Sequence, residues 1–559
     1  MIFVDNFNSM RFLSLIIATF FTVLTAFPIL AAEQVYLIYG GLNLSVRISS
    51  LEKFAQTGIV DKNLEFYFNI GGLNESEKNK FREALFQPHK INPVQLSRFL
   101  KTQIGEEILT NFGKFMKIQG GRNGKYALRG ALVQAAFEPE GLTLINVLRK
   151  LPTNLQIDLE QTFALSDAIK IVVKATQLFS VEIAQLSTIE AKKEKPVNFS
   201  NLRDLRQPGT LGIAPKKRWL LTDKNRNRRF YVDLYKPKKW RQEKTPVIIM
   251  SHGLASRPED FYKHAEYLTS YGYVVVIPQH PGSDYQKIQD LLGGYTGEIF
   301  DINEFKDRPQ DISYVIDELE RRNQTEFKGK LDLKNVGVLG HSLGGYTALA
   351  LAGATLHFEN LERECNKKFS YLNLSLLLQC RALKLEKKSY NFRDERVKAI
   401  FAANPVNSSI FGSQGLSQIK IPVFIGAGNY DAATPAIFEQ IRSFPWLRTP
   451  DKYLLLVEGQ AHLDFSNLDA GMTNIIESIS NLTLPNPELL YQYSNALMLA
   501  FFENYISKNS DYRPYLQASY TTYLSQKEPF KAYLISQYSS EALSQLIQKF
   551  IAENYSIQP

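Results

Sequence analysis

Three residue types that together perform acyl transfer occur here in a workable order: Ser342, Asp431 and His462. A seryl hydroxyl attacks a carbonyl only once an imidazole takes its proton and a carboxylate holds that imidazole in the right tautomer. Ser342 lies in Gly340-His341-Ser342-Leu343-Gly344, after the apolar run 336–339 and before the Ala-rich stretch 344–352. The run predicts a buried strand and the stretch a helix, which sets the serine on a sharp corner with its hydroxyl exposed. Gly340 and Gly344 suit that corner, since a Cβ at either position would collide with the adjoining strand or helix. Alone, such a motif reads equally well as a Gly-rich turn. Its chemistry rests on the partners downstream.

Seven histidines are present, at 89, 252, 264, 280, 341, 357 and 462. Only His357 and His462 follow the motif, and His357 is expected along the helix that Ser342 begins, pointing away from the corner. His462 comes in a Gly-containing loop after the strand-like run 453–457, which makes it the expected base. The acid should follow a strand that lies between the two. Asp431 does so, in the loop after the run 421–425. Glu458 is the reserve acid, while Asp394 and Asp451 read as surface carboxylates. A further strand-like run, 246–250, leads into Ser251-His252-Gly253-Leu254, where His252 reads as a structural hydrogen-bonding residue rather than a second base.

The order Ser, Asp, His is that of α/β-hydrolases. The stretch from about 206 to 470 resembles the platelet-activating-factor acetylhydrolase and predicted dienelactone hydrolase type of that superfamily. The resemblance is carried by Ser251-His-Gly-Leu254, Pro278-Gln-His-Pro-Gly-Ser-Asp284, Asp307-Arg-Pro-Gln-Asp-Ile312 and Gly340-His-Ser-Leu-Gly-Gly345, with Asp431 and His462 completing it. It implies an α/β fold with a mostly parallel central sheet flanked by helices. It also implies an oxyanion hole made by the backbone N–H groups of Leu254 and Leu343. Dienelactone hydrolase proper uses a cysteine nucleophile, where this chain has Ser342. The expected activity is that of a serine esterase on lipid-like carboxylic esters with a short or modified acyl chain, without metal or cofactor. Thioester, amide or lactone hydrolysis on the same triad is the nearer alternative, and an inactive hydrolase fold used for binding is the other.

The elements that must position these residues fill only part of the chain. At 559 residues with 44% hydrophobic and 22% charged, the sequence is long enough for two or three structural units and too apolar for wholesale disorder. Residues 1–32 read as a secretory signal: Arg11, an apolar run 12–30, and small residues at the exit near Ala32. Export to a periplasm or the exterior follows, with an uncleaved membrane anchor as the alternative. Residues 33–165 are expected to form a mainly helical domain opening with a strand at 34–39. It resembles a cyanobacterial domain of unknown function found ahead of hydrolase domains. A linker, 166–205, is expected to carry a long amphipathic helix from Ser166 to Glu194, capped by Ser166 and ended by Pro196. The hydrolase domain then spans 206–559, with helices past about 485.

Two cysteines, Cys365 and Cys380, fall in an insert at 356–392 where this fold often carries a lid. In an exported chain a local pair reads as a disulfide. The net charge of +9 is matched by residues 216–244 alone, which hold twelve Lys or Arg against three acids. That run reads as an edge hairpin kept soluble by charge, or as a peripheral contact with anionic lipid headgroups. Nucleic acid is excluded as a partner of an exported hydrolase.

Overall fold

The computed structural model describes residues 31–462 and 484–555, which divide between Ala164 and Leu165 into two units. In the first, Gln34–Tyr39 (β1) pairs antiparallel with Leu42–Arg47 (β2) and parallel with Leu155–Asp158 (β5). The short strands Met116–Ile118 (β3) and Arg122–Asn123 (β4) extend this into a five-stranded sheet. Helices such as Gln103–Phe115 and Lys125–Ala135 bury Leu109, Leu128 and Ala131 in the same core. The sequence reading anticipated β1 alone among these strands. The others are too short for a period of two to stand out from the helical periodicity around them.

The long helix after β5 runs Leu159–Lys193 and so begins earlier than the expected start at Ser166. The reason is local. Asp158 Oδ1 accepts the Gln161 N–H at 3.1 Å, capping the first turn before Ser166 is reached.

Uninterrupted apolar runs make the centre of the second unit. Its nine strands are Lys217–Asp223 (β6), Arg228–Tyr235 (β7), Thr245–Ser251 (β8), Val274–Pro278 (β9), Leu331–His341 (β10), Val397–Ala403 (β11), Val423–Gly428 (β12), Lys452–Val457 (β13) and Ala532–Ser536 (β14). They are ordered β14-β13-β12-β11-β10-β8-β9-β7-β6. The inner strands β9, β8, β10, β11, β12 and β13 are mutually parallel, whereas β6, β7 and β14 pair antiparallel. Strands β8 and β9 are buried along their whole length, as parallel strands covered on both faces must be. The α/β expectation holds. Strand order reverses between β8 and β10, and the crevice outside the carboxyl ends at such a switch point is where open α/β sheets bind ligands.

Past residue 484 the helix Pro487–Tyr505 buries Leu497, Phe501 and Phe502 against the sheet. Expected there as helices only, this region also contributes β14, which pairs with β13. His357 is not on the helix that follows Ser342. That helix ends at Leu351, and His357 Nδ1 caps the next one, Phe358–Cys365, by accepting the Asn360 N–H. Cys365 and Cys380 form a disulfide with Cα atoms 5.9 Å apart. The expected signal segment lies, apart from Ala31 and Ala32, outside the described residues. Among the described residues no helix is long and apolar enough to cross a membrane.

Candidate active site

Strand β10 ends at His341, and Ser342 turns the chain at φ 57° and ψ −118°. A non-glycine residue held there stores on the order of 1–3 kcal/mol of strain. Four backbone bonds over-determine the turn: Ser342 N–H to Ala403 O at 2.9 Å, and Gly345, Tyr346 and Val406 N–H to Ser342 O at 2.9, 3.2 and 3.2 Å. Close approach explains the glycines. A Cβ on residue 340 would lie 2.0 Å from Gly344 O, and one on residue 344 would lie 1.9 Å from Ser251 O.

His462, after β13, reaches back to this corner. Its Nε2 is 2.8 Å from Ser342 Oγ and its Nδ1 is 2.8 Å from Asp431 Oδ2. An ionised carboxylate only accepts, so Nδ1 carries the proton and Nε2 is free to accept the seryl hydrogen. Asp431 sits in the loop after β12 and is 4% exposed. Its Oδ2 also accepts from Asn404 Nδ2 and Thr434 Oγ1, both at 2.7 Å, and its Oδ1 from the N–H groups of Ala433 and Thr434. Burial acts to raise this carboxyl, but His462 and the Thr434 donors outweigh it and hold it below the usual carboxylate range.

The reserve acids are engaged elsewhere. Glu458 accepts from the Lys531 N–H and the Tyr533 hydroxyl, Asp394 pairs with Arg396, and Asp451 accepts from Tyr505. The sequence does not single out Asn404, one residue past β11 at φ 46°, because its contact with Asp431 joins two strand ends 27 residues apart.

The loop after β8 passes directly behind the serine: a Cβ on Gly253 would lie 3.2 Å from Ser342 Cβ. Leu343 N–H, first in its helix, has no helical acceptor by construction, and Leu254 follows Gly253. A buried polar network fixes this loop. Arg308, fully buried, donates to His252 O at 2.6 Å and to Gly253 O at 3.2 Å. His252 Nε2 accepts the His280 N–H, so its Nδ1 carries the proton and donates to Gly253 O at 2.8 Å. Gly253 C=O and Leu254 N–H belong to one planar peptide group and point oppositely. Two donors on the carbonyl therefore aim the Leu254 N–H. Burial lowers Arg308 to about 10, against the pull of Glu304 and Asp311, and the side chain stays charged at neutral pH. Burial and the Arg308 charge push His252 and His280 well below the ordinary histidine value, so both rings are neutral. The motif 307–312 contains Arg308 but does not reveal its contact, which depends on how the helix Glu304–Phe327 packs against β9 and β10.

Residues 31–158 match a family model described as an alpha/beta hydrolase of unknown function (DUF1400), and residues 234–370 match the chlorophyllase model. The chain is an α/β-hydrolase. No curated protein matches it. The chlorophyllase match includes Leu254, Arg308 and Ser342 but ends before Asp431 and His462, whose placement rests on the geometry above. The match at 31–158 covers the first unit rather than the nine-stranded sheet of the α/β-hydrolase domain.

The basic run of the hydrolase domain is partly spent inside it. Lys216 and Arg218 pair with Asp233, Arg226 and Arg228 with Asp311, and Arg241 with Glu503. Lys217, Lys224, Arg229, Lys238, Lys239 and Lys244 are exposed. The Cys365–Cys380 disulfide fits an oxidising, exported setting.

Proposed function

We propose that the second unit is a serine hydrolase of carboxylic esters, acting on lipid-like substrates with a short or modified acyl chain. The observation that carries this reading is the unbroken chain Ser342 Oγ, His462, Asp431, with both contacts at 2.8 Å and the serine strained at a strand-to-helix corner. In this reading His462 Nε2 takes the seryl proton as Oγ bonds to the ester carbonyl carbon. The carbonyl oxygen becomes an oxyanion facing the N–H groups of Leu254 and Leu343, an arrangement in which one donor is worth about 3–4 kcal/mol. Asp431 stabilises the imidazolium and does not itself take the proton. As the tetrahedral adduct collapses, His462 protonates the departing alkoxide. It then deprotonates a water that attacks the acyl-enzyme, and the carboxylic acid leaves with Ser342 restored.

The test is labelling by a fluorophosphonate. The native chain should be labelled, and the Ser342→Ala and His462→Ala variants should not. A folded native chain that resists labelling would sink the reading. We place the enzyme outside the cytoplasm after signal cleavage near Ala32, and take the exposed bases of 216–244 as a peripheral contact with anionic lipid. N-terminal sequencing of the secreted form and co-sedimentation with phosphatidylserine vesicles test these two points. An uncleaved terminus overturns the first, and equal sedimentation with neutral vesicles overturns the second.

A further inference from the structure

A cavity of about 460 Å³ lies within the second unit, and Ser342, Asp431, His462, Leu254 and Leu343 are not among the residues that line it. Its walls come from the long helix Leu159–Lys193, the disulfide-closed insert, the segment behind Asp431 and the C-terminal helix Ser540–Tyr555. From the long helix it is lined by Ala168, Ile171, Val172, Ala175 and Phe179, whose spacing is that of one helix face. The two alanines leave the space, since larger side chains at 168 and 175 would fill it. Phe179 meets Phe550 of the C-terminal helix edge-on, with ring centres 5.6 Å apart.

The lining is mostly apolar, with Ser370 and Asn373 as neutral polar members and a basic rim. Lys367, Lys368 and Arg442 stand against one acid, Glu364. Lys367 and Arg442 both pair with that carboxylate, at 2.7 and 2.9 Å, so three cations against one anion leave a surplus of two. Interiors are otherwise close-packed, and an apolar hollow is a poor host for water. The volume falls within the range of about 300–1,000 Å³ typical of sites for small organic ligands. The disulfide joins two ends of the wall that bears the rim, since Lys367 and Lys368 lie between Cys365 and Cys380.

We propose that this cavity binds a free long-chain carboxylate, with its hydrocarbon chain between the long helix and the C-terminal helix and its carboxylate against Lys367, Lys368 and Arg442. This site goes beyond the ester-hydrolysis reading and does not depend on Ser342. The test titrates the full chain with dansylundecanoate, a fluorescent fatty-acid probe, and displaces it with laurate or with uncharged dodecanol. Saturable binding of one probe per chain is expected, with laurate the stronger competitor.

Ala175→Phe should weaken the probe at least on the order of tenfold, or about 1.4 kcal/mol. Joint Lys367→Glu and Lys368→Glu substitution should abolish the preference for laurate, with folding checked by circular dichroism because Lys367 pairs with the buried Glu364. Blocking Ser342 with a small phosphonate should leave probe binding unchanged. Any of three results overturns the proposal: no saturable binding, a laurate preference that survives the charge reversals, or loss of the probe when Ser342 is blocked. None of these measurements reads ester turnover, so their failure and that of the hydrolase reading are distinguishable.

Discussion

Among its described residues the α/β-hydrolase domain holds two chains of serine, histidine and aspartate, and only one has the surroundings that the proposed chemistry needs. In the first, Ser342, His462 and Asp431 are joined by contacts of 2.8 Å. In the second, His280 Nε2 is 3.0 Å from Ser251 Oγ and its Nδ1 is 2.9 Å from Asp311 Oδ2. The distances barely differ; the surroundings do. Ser251, His280 and Asp311 are all fully buried, and Ser251 lies in the regular strand β8. Asp311 is shared with Arg226 and Arg228, and Arg308 adds a third nearby cation, so an imidazolium at His280 would be repelled. Asp431, by contrast, has only neutral donors and His462 around it, and the His462 side chain keeps 13% of its surface exposed. Triad geometry is thus common property of a hydrogen-bonded interior. Access, strain at the nucleophile and a carboxylate whose charge is not already taken distinguish a site from a brace.

The sharpest way to break this comparison is to remove each serine. Ser342→Ala should lower kcat by about 10⁴- to 10⁶-fold, while Ser251→Ala should keep fluorophosphonate labelling. Loss of labelling in the Ser251 variant, with folding intact by circular dichroism, would overturn the division of roles. The aspartates come next. Asp431→Asn should lower kcat about 10⁴-fold, because the amide favours the wrong histidine tautomer. Asp311→Asn should instead destabilise by about 3–5 kcal/mol, since a fully buried carboxylate shared by Arg226 and Arg228 loses its charge; urea midpoints beside activity per folded molecule separate the two outcomes.

Arg308 tests whether the brace serves the site. Arg308→Met should lower kcat about 10²-fold with KM little changed, as expected for one misdirected oxyanion donor. A change confined to KM would assign Arg308 to substrate binding instead. A further effect concerns pH and reads stability rather than turnover. Burial takes His264 down to about 4 and His341 to about 3, and takes His252 and His280 well below the usual 6.5. Below that value the unfolded chain binds protons that the folded one refuses, so stability is present above it and falls as pH falls. Each histidine contributes up to about 1.4 kcal/mol per pH unit until its folded value is reached. Equal urea midpoints at about pH 7 and about pH 5 would contradict this.

The sequence by itself determined the corner at Ser342. Glycines at 340 and 344 between an apolar run and an Ala-rich run have few other uses, and the close approaches at both positions give the physical reason. The apolar runs of β8, β12 and β13 were equally legible, because parallel strands buried on both faces carry no polar alternation. The tertiary structure alone decided what stands behind these residues. Asn404 and Arg308 act through contacts between segments far apart in sequence, which no local pattern encodes, whereas Thr434 meets Asp431 three residues away within one loop. It likewise decided that His280 is a brace, because burial and neighbouring charge are properties of the assembled fold rather than of the residue. The strand β14 and the sheet of the first unit were illegible for a related reason: a short strand is defined by its partner, and the partner is set by packing.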